Sequence, residues 1–185
     1  MNSFKILNAR RLSVLAFSFS FAYLLSFLFE GQVLYSLMAL YGLSPGFYIL
    51  AAMLAHFAGL FSCGLFVKSY GIAKRVMLGG LGFCFVSALP FFFAPSALWI
   101  GSLIVSGYFS GCAVAAWGYF LKAFTPGSER MKSCADALIC SNLLMIAVNV
   151  VAMNRSILVG LSLSMLCLVI GAVLICMLPA RQENE

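Results

Sequence analysis

The segment Ser156-ILVGLSLSMLCLVIGAVLICML-Pro179 decides the class of the fold, because it carries no charged residue from one end to the other. An α-helix needs about 20 apolar residues to cross the hydrocarbon core of a bilayer, and this segment is long enough. Five further apolar segments precede it, so that the six run over residues 12–40, 46–67, 76–94, 97–124, 134–153 and 156–179. Each segment has to satisfy its own backbone hydrogen bonds in lipid. The sequence therefore predicts an all-α membrane protein, a single domain over residues 1–185 with six transmembrane helices.

The basic residues predict the orientation of these helices. Ten of the 11 Lys and Arg residues lie before the first segment, between the second and third, around the turn between the fourth and fifth, or after the sixth. They are Lys5, Arg10, Arg11, Lys68, Lys74, Arg75, Lys122, Arg130, Lys132 and Arg181. The connections on the opposite side carry only Arg155. Because basic residues are enriched in cytoplasmic connections, we predict a multi-pass protein of the plasma membrane with both termini in the cytoplasm.

The composition excludes several functional classes. Charged residues make up 9% of the chain, against about 25% in a soluble domain, so a soluble surface is not possible. The net charge of +6 is dispersed over short connections, and we do not expect this segment to bind nucleic acid. The seven cysteines form no CxxC pair, and neither a metal nor another cofactor is predicted. With one histidine and no catalytic motif around it, the chain is not predicted to be an enzyme.

Four polar side chains inside the apolar segments are the candidates for a binding site: Glu30, His56, Asn142 and Asn149. Such groups are costly in lipid and commonly mark a substrate pathway. We predict that all four line one central cavity for a small solute, with Glu30 contacting a cationic or polar group. The alternatives are a solvated or paired carboxylate for Glu30 and hydrogen bonds between helices for the other three. The third and sixth segments contain no ionisable residue, which predicts that they face lipid.

Two further patterns concern helix packing and charge pairing. Gly107 and Gly111 are four residues apart, a spacing that lets helix backbones approach closely in a membrane. Asp136 lies near the cytoplasmic end of the fifth segment, and we predict an ion pair with Lys68 or Lys132.

The connection between the second and third segments reads GLFVKSYGIAKR from Gly64 to Arg75. It resembles the loop signature of the major facilitator superfamily, Gly-x-x-x-Asp-x-x-Gly-x-basic-basic, in the position where that family has it. Gly64 and Gly71 are in register, and Lys74 and Arg75 match the basic pair with a shift of one residue. Lys68 stands where the family has an acidic residue. Since that acid helps to latch the two halves of the transporter together, the resemblance implies an altered latch here.

The resemblance implies the fold of the N-terminal six-helix half of a twelve-span transporter, with a solute bound where two halves meet. The implied function is membrane transport of a small solute, with the second six-helix half supplied by the same chain, another chain or a homodimer. Gly107 stands where the family has an arginine linked to proton coupling. The alternative is a resemblance to the facilitator-like membrane region of a LuxR-type transcriptional regulator, which would bind a ligand without transporting it. The sequence does not identify the substrate.

Overall fold

The computed structural model describes residues 3–29 and 31–179, with side chains described from residue 9 onward. This part of the chain is helical apart from short turns and contains no strand. The helices are α1 (Ser3–Tyr23), α2 (Gln32–Leu40), α3 (Gly46–Phe66), α4 (Tyr70–Ala88), α5 (Ala97–Phe124), α6 (Arg130–Asn154) and α7 (Ile157–Met177). A π-helical turn covers Leu24–Leu28, and short 3-10 turns cover Leu89–Phe92 and Gly127–Glu129.

Six helical segments of the described chain are long and apolar enough to cross a membrane. They are span one (Ala9–Leu40), span two (Gly46–Phe66), span three (Tyr70–Phe92), span four (Ala97–Phe124), span five (Gly127–Asn154) and span six (Ile157–Met177). The predicted all-helical, six-segment architecture is thus confirmed. Span three begins earlier than predicted because Ser69 caps the helix, its Oγ accepting a hydrogen bond from the Ile72 amide at 3.3 Å. A helix continues past the edge of its apolar run wherever such a cap is available.

The helices pack as two groups of three spans. In the first group α5 lies between α3 and α4, and in the second α1 lies between α6 and α7. Contacts between α1 and α5 and between α4 and α7 join the two groups. Exchanging span one with span four, span two with span five, and span three with span six turns the contacts of α5 in the first group into the contacts of α1 in the second. The correspondence is incomplete, because α6 packs closely on α7 whereas α3 contacts α4 much less.

The burial of the spans shows that spans three and six, which were predicted to face lipid, are largely exposed but are not the most exposed spans of this bundle. In their most apolar windows, spans three and six are 33% and 39% buried, but span two is only 28% buried and span five only 17%. Span one, at 67%, is the most enclosed. Spans two and five are therefore the edge helices. A few polar side chains on a helix do not make the whole helix turn inward when one neighbour satisfies them.

Glycines bring α3 and α5 into backbone contact. A Cβ atom added to Gly59 would lie 2.0 Å from the carbonyl oxygen of Tyr108, and one on Gly111 would lie 2.1 Å from that of His56. One on Gly107 would lie 2.4 Å from the carbonyl oxygen of Ala52. Gly107 and Gly111 therefore lie at the closest approach of the two helices. Dispersion between closely packed backbones replaces the hydrophobic drive that lipid cannot supply.

We predict that Gly111→Ala destabilises the bundle, because its methyl group would overlap the backbone of α3. Overpacking of this kind costs about 1–3 kcal/mol. Gly79→Ala is the matched control, since a Cβ atom there meets nothing within 4 Å. Thermal unfolding in detergent, read by size-exclusion chromatography, should show a lower midpoint for Gly111→Ala alone. Equal midpoints for the two variants would contradict the close approach.

Candidate functional site

His56 is buried at the contact between α3 and α5. Its Nδ1 lies 2.9 Å from the Oγ of Ser110, and the Ser110 hydroxyl donates to the carbonyl oxygen of Gly107 at 2.7 Å. A serine hydroxyl has one hydrogen, so its oxygen has to accept the bond from His56. The Nδ1 of His56 therefore carries a hydrogen. Nε2 is the ring nitrogen left for a further contact.

The first span is interrupted beside His56. The Phe29 ring lies 4.8 Å from the imidazole in an edge-on arrangement, and Phe29 closes the π-helical turn by donating its amide to the Leu24 carbonyl oxygen at 3.0 Å. The helix restarts at Gly31, where a Cβ atom would lie 1.6 Å from the carbonyl oxygen of Ser26. Only glycine fits there. Turns of π-helix inside α-helices occur frequently at functional sites.

Two buried side-chain oxygen atoms are unpaired within the described residues. They are the Oγ of Ser26, in the π-helical turn, and the Oδ1 of Asn149 on α6. An unpaired buried polar atom costs about 1–3 kcal/mol, so both atoms are available to a bound polar group. Glu30 belongs to the interruption by its place in the sequence, but it lies outside the described residues.

Tyr23 forms a second polar junction next to the interruption. Its hydroxyl group is fully buried, 3.1 Å from the Oγ of Ser106 and 3.3 Å from the carbonyl oxygen of Cys84. This junction links α1, α4 and α5. Ser106 and Ser110 are the partner residues that sequence reasoning missed. Their signal in the sequence is that each immediately precedes a packing glycine, Gly107 or Gly111.

The single cavity stays a prediction, since this six-helix bundle does not bring His56 and Asn142 together. Asn142 lies on the exposed side of α6, where its Nδ2 donates to the Leu138 carbonyl oxygen of the same helix at 2.8 Å. His56 is instead enclosed between α3 and α5. The two belong to opposite groups of spans, because α6 is an edge helix on the α1 side. Asn149 is half-buried on α6.

The loop motif also has a different geometry from the one expected. The loop itself is short, so that Gly71, Lys74 and Arg75 lie in the first turns of α4. Neither Gly64 nor Gly71 approaches another helix, since a Cβ atom on either would meet nothing within 4 Å. Lys68 is exposed.

Lys74 of this motif contacts the end of α7. Its Nζ donates to the carbonyl oxygens of Leu178 at 2.7 Å and Cys176 at 3.2 Å. The last carbonyl groups of a helix have no partner within it and carry partial negative charge. Lys74 therefore satisfies the end of α7 and ties span three to span six.

Asp136 does not pair with Lys68 or Lys132 as predicted. Its Oδ2 lies 4.0 Å from the Nη2 of Arg10 instead. Arg10 also pairs with the carboxylate of Glu129. The prediction failed because the fold brings the start of α1 against the start of α6, which the sequence does not reveal.

We predict that Ser110→Ala lowers the free energy of unfolding by about 1 kcal/mol, the usual size of a hydrogen bond between membrane helices. The variant leaves the Nδ1 of His56 without its acceptor. Ser162→Ala is the control, because the Ser162 hydroxyl bonds only the Leu158 carbonyl oxygen of its own helix at 2.9 Å. Unfolding by SDS titration in mixed micelles measures both. Equal losses in the two variants would contradict the role of Ser110.

Comparison of the chain with protein-family models found no match. Comparisons with curated proteins and with solved structures also found none. The functional conclusion therefore rests on the packing of the helices and the geometry of the site.

Proposed function

We propose that the chain is a facilitator-type half that moves a small solute across the plasma membrane together with a second six-helix half. Both termini of this half lie in the cytoplasm. The observation that carries the proposal is the packing of the helices as two groups of three spans that can be exchanged for one another. In the major facilitator superfamily each six-span half is built from two nested three-span repeats, which in this chain would be spans one to three and spans four to six.

A long apolar face on α3 supports the presence of a second half. The exposed residues alternate in steps of three and four along the helix: Phe47, Leu50, Leu54, Phe57 and Phe61. We call these residues the partner face of α3. Steps of three and four keep side chains in one stripe, as at helix seams. A six-helix bundle from a second half would cover such a stripe.

The other edge helix, α6, has a corresponding stripe. The exposed residues are Ile139, Leu143, Ile146, Val150 and Met153, which we call the partner face of α6. Asn142 lies beside this stripe, one turn before Ile146. An exposed amide is costly against lipid, whereas a polar group of a second half would satisfy its Oδ1. Asn142 therefore supports a protein partner on this side.

The interruption of span one supplies the polar contacts that a solute needs in the membrane. Discontinuous helices at mid-membrane commonly form the binding sites of secondary transporters. In this chain the interruption lies next to His56 and includes the unpaired hydroxyl of Ser26. A small polar solute is the class that such groups suit.

A second candidate function is the membrane sensor region of a transcriptional regulator, which binds a ligand without transporting it. The position of Gly107 favours it. Even a Cβ atom there would lie 2.4 Å from the Ala52 carbonyl oxygen, so the arginine that the family links to proton coupling does not fit. Lys68, in place of the family's acid, points in the same direction.

We predict that a second half shields the partner faces in the native membrane. Cysteines introduced at Phe57 and Ile146 should react more slowly with a lipid-soluble maleimide than cysteines at Val86 and Leu166. All four residues are about equally exposed in this six-helix bundle, at 50%, 52%, 62% and 49%. The measurement is the labelling rate in native membranes, on a background without the seven native cysteines.

Val86 and Leu166 serve as lipid-facing controls on α4 and α7. If all four positions react at the same rate, lipid covers the partner faces and the second half is not there. Extraction into detergent should raise the rate at Phe57 and Ile146 only if it separates the two halves.

A further inference from the structure

Arg10 is held in an unusually enclosed site for a charged residue at a helix end. Its side chain is only 13% exposed. The Nη1 atom pairs with Glu129, Nη2 lies 4.0 Å from Asp136, and Nε donates to the Oγ of Ser133 at 2.8 Å. These contacts bind the start of α1 to the start of α6.

Arg10 pairs with both acidic side chains that the structure describes. Glu129 and Asp136 are the only carboxylates within residues 9–29 and 31–179. Arg11 and Lys132 lie on the same two helices, at the same end of the bundle. Neither pairs with a carboxylate among the described residues. Arg10, Arg11 and Lys132 carry three positive charges against the two negative charges of Glu129 and Asp136, so this end keeps one net positive charge among the described residues, with Arg11 and Lys132 as the two cations without a carboxylate partner.

These two charges meet at a cavity between α1 and α6. The cavity has a volume of about 380 Å³, and its lining consists of Arg10, Arg11, Val14, Leu15, Lys132 and Asp136. One wall carries the positive charge, and the wall towards the middle of the membrane is the apolar pair Val14 and Leu15. Leu15 is 43% exposed, so an apolar chain can lie along it. The order from charge to apolar surface matches that of a phospholipid, from phosphate to acyl chain.

We propose that this cavity binds the headgroup of an anionic phospholipid. Arg11 and Lys132 bind the phosphate and the negative headgroup, while the first acyl carbons pack against Val14 and Leu15. Asp136 also lines the cavity, 4.0 Å from Arg10, but the three cations outnumber the two carboxylates, so the site keeps a net positive charge. Basic pockets between membrane helices bind anionic headgroups on this physical basis. The site lies away from His56 and Ser26, so it is separate from the proposed solute site.

The test is lipid binding by the purified protein in micelles, measured by native mass spectrometry. Dioleoyl phosphatidylglycerol should bind more tightly than dioleoyl phosphatidylcholine. The double variant Arg11→Gln/Lys132→Gln should weaken phosphatidylglycerol binding about 25-fold, since each basic residue at a membrane surface contributes about a fivefold factor. The charge-conserving Arg11→Lys variant should retain binding.

The matched control is Lys122→Gln/Arg155→Gln, which removes the same charge from two exposed residues outside the cavity and should bind phosphatidylglycerol like the wild type. Equal binding of the two lipids, or unchanged binding by the cavity variant, would overturn the proposal. Inorganic phosphate is the probe for a free anion. If inorganic phosphate, at the concentration at which the lipid saturates the cavity, displaces the lipid from Arg11 and Lys132, the cavity is a site for free anions and not for a lipid.

Discussion

The close approach of α5 to its neighbours is the contact on which the rest of the structure depends. Gly107 and Gly111 let α3 lie against the backbone of α5, and Gly80 of α4 lies against the other side, where a Cβ atom would be 2.9 Å from the Phe109 carbonyl oxygen. In lipid no hydrophobic drive holds helices together, so dispersion at short range and a few hydrogen bonds must do so. The same approach of α3 to α5 brings His56 to Ser110. The polar pair of these two helices thus lies where glycines let the backbones meet.

Both groups of spans have close glycine contacts, which in the group of α1 lie at Gly160 and Gly171 of α7. The group of α1 also has a charged cluster at one end, where Arg10 contacts Glu129, Ser133 and Asp136. About two helical turns after Arg10, the Ser18 hydroxyl donates a hydrogen bond to the Ala137 carbonyl oxygen at 3.1 Å. The edge helices α3 and α6 are the least covered spans of both groups. This arrangement leaves two apolar faces of the described bundle exposed and places an interruption within span one.

The six spans were predictable because the length of an apolar run reports directly on its ability to cross a bilayer. The helix ends were less so, since Ser69 extends α4 back through Lys74 and Arg75. The surroundings of His56 and Asn142 were not predictable, because the positions of these residues along their helices do not reveal which neighbours cover them. Ser110 was missed because a serine beside a glycine in an apolar helix has the same pattern as a packing residue. The pairing of Arg10 with Glu129 joins residues far apart in the chain, and local sequence does not predict such contacts. The orientation of the termini and the identity of the solute stay predictions.

The central claim is that this bundle works only with a second one. Native mass spectrometry of the protein extracted from its own membrane, followed by solute uptake after reconstitution, tests that claim most directly. We expect every assembly that supports uptake to contain a second six-span bundle, whether from a continuation of the chain, another polypeptide or a second copy. An assembly of the 185-residue chain alone, with the 20.0 kDa mass of one copy, that still catalyses uptake would contradict the account.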